Sequence, residues 1–123
     1  MTPVGRGSLE LTPERFEELV VEALDGLPAW VQERLDNVEV LIEEGPPRGQ
    51  PSLLGLYEGI PLTKRGSGYF AVLPDRITLF RSSIRRQAFD EDHLKRVVRH
   101  TVVHEIAHFF GISDQRLREL DRY

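Results

Sequence analysis

His104-Glu105-Ile106-Ala107-His108-Phe109-Phe110-Gly111-Ile112-Ser113-Asp114 is the stretch from which this 123-residue chain is best read. Histidines at i and i+4 stand one helical turn apart on the same face. Two imidazoles so placed can converge on one ion at about 2.0–2.1 Å. Gly111 can take φ > 0, so the helix can end there and the chain can turn back. The Asp114 carboxylate, three residues on, can then reach the same ion. Three protein ligands leave one tetrahedral position open for water, the arrangement of a catalytic zinc site. Glu105 lies about 100° around the helix from His104, beside that open position, where a general base belongs.

Chance is a poor explanation. With this chain's composition, H-E-x-x-H arises in about one shuffled sequence in a hundred. The added Gly and Asp lower that to roughly one in ten thousand. A helix whose histidines merely bond to their neighbours is the bland alternative. Against it, Val97, Val98, Val102, Val103, Ile106, Ala107, Phe109 and Phe110 make the helix apolar nearly all round. That pattern predicts burial, and buried histidines and a glutamate need partners.

The extended motif H-E-x-x-H-x-x-G-x-x-D resembles that of the metzincin-like clan, in the variant with Asp as third ligand. The blocks Leu53 to Leu62, Leu73 to Phe80 and Asp114 to Leu120 resemble the small bacterial minimal zincin metallopeptidases, with the likeness spanning residues 37–121. The resemblance implies a compact α+β domain, zinc held by His104, His108 and Asp114, and a catalytic Glu105. Met1 is the only methionine, so the methionine turn of true metzincins has no counterpart here.

Outward from the motif, Asp90 caps the helix and Glu91 and Asp92 favour its first turn. A last helix is expected from Asp114 to about Asp121. Upstream, Thr12-Pro13 starts a helix that Gly26 ends, and a shorter one runs from Pro28 to about Leu35, with Trp30 in the core. Strands are expected at Val38–Ile42, Leu53–Tyr57 and Ile77–Phe80, the last introduced by Pro74-Asp75. Residues 58–68 read as turn and loop, and residues 1–10 as a flexible tail before one domain over 11–123. The strand from Arg76 to Arg81 directly precedes the zinc helix and is expected to offer its edge to an extended substrate.

Cysteine is absent, so any metal is held by His and carboxylates. No run approaches a membrane span and no secretory signal is legible, so a cytoplasmic location is expected. Net charge is −4, with the acids concentrated in residues 1–50. The basic residues Arg76, Arg81, Arg85, Arg86, Lys95, Arg96 and Arg99 could bind phosphates or acidic peptides. Without a nucleic-acid motif they read better as a solvated face paired with the acidic half. His100 is expected to stand outside the ligand set, and His93 to be solvated. Tyr57, Tyr69 and Tyr123 are candidates for stabilising an oxyanion.

Two functions follow from the sequence. One is a zinc-dependent hydrolase, most simply a metallopeptidase acting on a peptide or small protein, without nucleic-acid or membrane partners. The alternative is a non-catalytic zinc-binding structural or interaction domain, in which Glu105 has no evident purpose.

Overall fold

The computed structural model describes residues 11–66 and 73–120. The proposed tail at 1–10, Ser67, Gly68, Tyr69 and Tyr123 lie outside them. The first helix, α1, spans Pro13–Asp25. Thr12 caps it by accepting from the Arg15 N–H at 3.1 Å, and Gly26 closes it. Next come α2 (Ala29–Arg34), β1 (Val38–Glu43), β2 (Gly55–Glu58), a 3-10 turn at Leu62–Lys64 and β3 (Asp75–Phe80). Three helices complete the chain: α3 (Arg81–Gln87), α4 (Glu91–Phe109) and α5 (Asp114–Leu120).

These elements form a compact α+β fold, a three-stranded sheet with helices packed on it. The strand order is β1-β3-β2, with β1 parallel and β2 antiparallel to β3. Strand β3 is therefore central and paired on both sides, so the Arg76–Arg81 segment has no edge for a substrate. Nor does it lead straight into α4, because α3 intervenes. Ile77, Thr78, Leu79 and Phe80 are consecutively buried, as a central strand requires, whereas β1 alternates along its length.

Helix α4 packs against α1, α3 and the β2–β3 side of the sheet. Asp90 caps it, accepting from the His93 N–H at 2.8 Å. His93 is engaged as well: its Nδ1 accepts the Phe89 N–H at 3.0 Å and its ring stacks on Phe89. Leu94, Val98, Val102 and Ile106 point inward onto Phe16, Leu19, Ile77, Leu79 and Ile84. The helix is not buried all round, because Val103 is half exposed. Trp30 is likewise not core. It is 59% exposed and touches Phe110, while Val31 is the buried residue of α2.

Two basic side chains do pair with the acidic half, as Arg81–Glu44 at 2.6 Å and Arg76–Glu39 at 3.7 Å. A more buried pair sits beneath the metal motif. Arg65 meets Asp75 at 2.6 Å, and Asp75 is only 3% exposed. Arg65 also donates to the Ile60 carbonyl and lies over the Phe109 ring. This cluster ties the segment after β2 to the end of α4.

Candidate metal centre

The three expected ligands meet at the C-terminal end of α4. His104 Nε2 lies 3.0 Å and His108 Nε2 2.9 Å from Asp114 Oδ1, and the two Nε2 atoms are 3.2 Å apart. Among the described residues this is the one cluster of His and carboxylate groups arranged as a metal site. A tetrahedral zinc with bonds near 2.0–2.1 Å sets its ligand atoms about 3.3 Å apart. The observed triangle is a few tenths of an ångström tighter, so the donor set fits that ion in type and size.

The local chain explains the convergence. Gly111 has φ +93°, the left-handed conformation that ends a helix. The Ile112 N–H then bonds back to the Ala107 carbonyl at 2.9 Å, which turns Asp114 toward the histidines. Thr63 packs so closely on Gly111 that a Cβ there would overlap its side chain. His108 is oriented from behind, its Nδ1–H donating to the Ile112 carbonyl at 2.8 Å. A neutral His108 thus directs its Nε2 lone pair at the Asp114 oxygen. Two acceptors at that range repel unless a proton or a cation stands between them.

Glu105 lies beside the trio and is 6% exposed. Burial pushes its carboxyl up to about 7. The Asp114 charge adds to the rise, while His108 and the Tyr57 backbone N–H oppose it. The close approach depends on Gly55. A Cβ there would come within 2.9 Å of Thr101 Cγ2 and 3.1 Å of Glu105 Cγ. The Phe80 N–H bonds to the Leu54 carbonyl at 2.9 Å. Strand alternation therefore turns the Gly55 and Tyr57 amides outward, toward the free edge of β2.

Tyr57 itself leaves the site. Its hydroxyl donates to Asp75 at 2.6 Å, and burial first, then this bond to the carboxylate, raises its pKa. A phenol committed to a buried carboxylate has no proton free for an oxyanion. His100 is not among the three converging groups, and its ring centroid is 6.2 Å from that of His104. The sequence reading missed the Ile112 carbonyl and the Tyr57 amide. Both are backbone groups, which residue identity does not reveal.

The family model that matches this chain describes a zincin-like metallopeptidase and covers residues 35–123. The chain belongs to the zincin-like metallopeptidase family. Among solved structures, this zincin-like chain is similar to a conserved hypothetical protein from Thermo thermophilus. The two share 29% identity over 81% of this chain and 94% of the other, with a TM-score of 0.58. None of the curated proteins matches it. No helix among the described residues is long and apolar enough to cross a membrane.

Proposed function

We propose that this zincin-like chain is a zinc-dependent peptidase, with His104, His108 and Asp114 as metal ligands and Glu105 as general base. The observation that carries the reading is the 2.9–3.2 Å triangle of three donor atoms with a buried carboxylate beside it. Zinc in such a site supplies a Lewis acid that polarises a carbonyl and acidifies water.

The chain's own residues supply the rest. The Tyr57 N–H is engaged by Glu105, so the outward Gly55 backbone is the part of the β2 edge that offers main-chain hydrogen bonds to an extended peptide. Glu105, buried beside the three ligands, accepts a proton from the attacking water and delivers it to the leaving amine. His108 keeps one orientation throughout because Ile112 holds its far nitrogen. The Asp114 side chain is 63% exposed. The trio is therefore reachable from solvent, which favours catalysis over a sealed structural role.

The test is cleavage of a peptide library by the zinc-loaded protein, with Glu105→Gln as control. The variant keeps shape and zinc and loses about 10²-fold or more in rate. A variant that keeps zinc and the full rate contradicts the general-base role. Loss of zinc would instead make Glu105 a ligand or an essential support.

A further inference from the structure

Beside Glu105 is a recess of about 220 Å³, between the start of β2 and α4. Leu53, Leu54 and Thr101 form its apolar part, and His100 stands at its wall. Thr101 presents carbon, because its hydroxyl bonds back to the Val97 carbonyl at 2.8 Å. The recess is below the roughly 300 Å³ at which pockets for whole small molecules begin, and is the right size for one side chain. It opens next to His104 and Glu105, where a peptide on the β2 edge would project a residue.

We infer that this recess takes one substrate side chain and that His100 selects an acidic one. The inference rests on the peptidase reading above. His100 is exposed and makes no hydrogen bond or ion pair among the described residues. Arg96, one helical turn earlier on the same face, is likewise exposed and has no such partner. The nearby acids do not compete for these donors: Glu105 faces the Tyr57 amide, and Asp114 faces the two histidines. A side chain with a short apolar stem and a terminal carboxylate matches the carbon of Leu53, Leu54 and Thr101 and the free His100 donor at the wall.

The probes are four peptidyl hydroxamates that differ only in the side chain beside the metal-binding group: Glu, Gln, Leu or Lys. Each is titrated calorimetrically into the zinc-loaded protein. The Glu compound binds about tenfold more tightly than the Lys compound, on the scale of one charge-assisted hydrogen bond at an open site. His100→Ala, at an exposed helical position, brings the Glu and Leu compounds to within about twofold of each other. His100→Glu inverts the preference toward Lys. Equal affinities across the series, or a preference that survives His100→Ala, overturn the recess assignment and leave the metal reading standing. A series in which no compound binds overturns the metal reading and this inference together.

Discussion

Glu105 combines three demands that a surface glutamate never meets: it is buried, it lies beside an acid, and it is held against the sheet by Gly55. Its carboxyl, pushed up to about 7 chiefly by burial, has a consequence for the metal-free protein. Between the ordinary value of 4.5 and about 7, the folded state holds a proton there that the unfolded state has released. The stabilisation is therefore complete below about pH 4.5 and is lost as pH rises through 7. Thermal melts in chelator should show the parent losing stability relative to Glu105→Gln between pH 5 and 8. A difference that stays flat across that range would contradict the burial account. The identity of Glu105 was legible from spacing alone, because helix geometry fixes its place relative to His104. Its neighbours Gly55 and Tyr57, some fifty residues earlier, were not, because only sheet packing brings them there.

At the scale of elements, the candidate metal site is a helix end joined to the following helix by one turn. Gly111 carries the join, with φ +93° and Thr63 against its Cα. Gly111→Ala meets both left-handed strain and overlap with Thr63, so it should destabilise the fold by more than the roughly 1 kcal/mol of the conformational cost alone. It should also weaken zinc binding, since Asp114 can no longer close the triangle. Urea melts and zinc titration of the variant check both, and full zinc affinity would show that the turn is not what positions Asp114. The caps and ends of α1 and α4 were readable because Thr12, Asp90 and Gly111 act locally. Helix α3 was not readable. Phe80 gives it no side-chain cap, and within it only Ile84 is a buried apolar residue, so no periodicity announces it. Trp30 misled for the converse reason: its size suggested core, but α2 turns Val31 inward instead.

Across the whole molecule, zinc would fasten α4 to the start of α5, and the Arg65–Asp75 pair would support that corner from below. The candidate site was legible because its three proposed ligands fall within eleven residues. The substrate edge was not, because strand order depends on which distant strands pair, and β3 proved central. A ligand that binds only the folded chain stabilises it by mass action, by about 2.7 kcal/mol at a hundredfold excess over Kd. The most direct test of the central claim is a zinc titration of the metal-free protein followed by its melting temperature, alongside His108→Ala. The account predicts a rise of roughly ten degrees that saturates at one zinc per chain, and its loss in the variant. The same stoichiometry and the same rise in His108→Ala would contradict it.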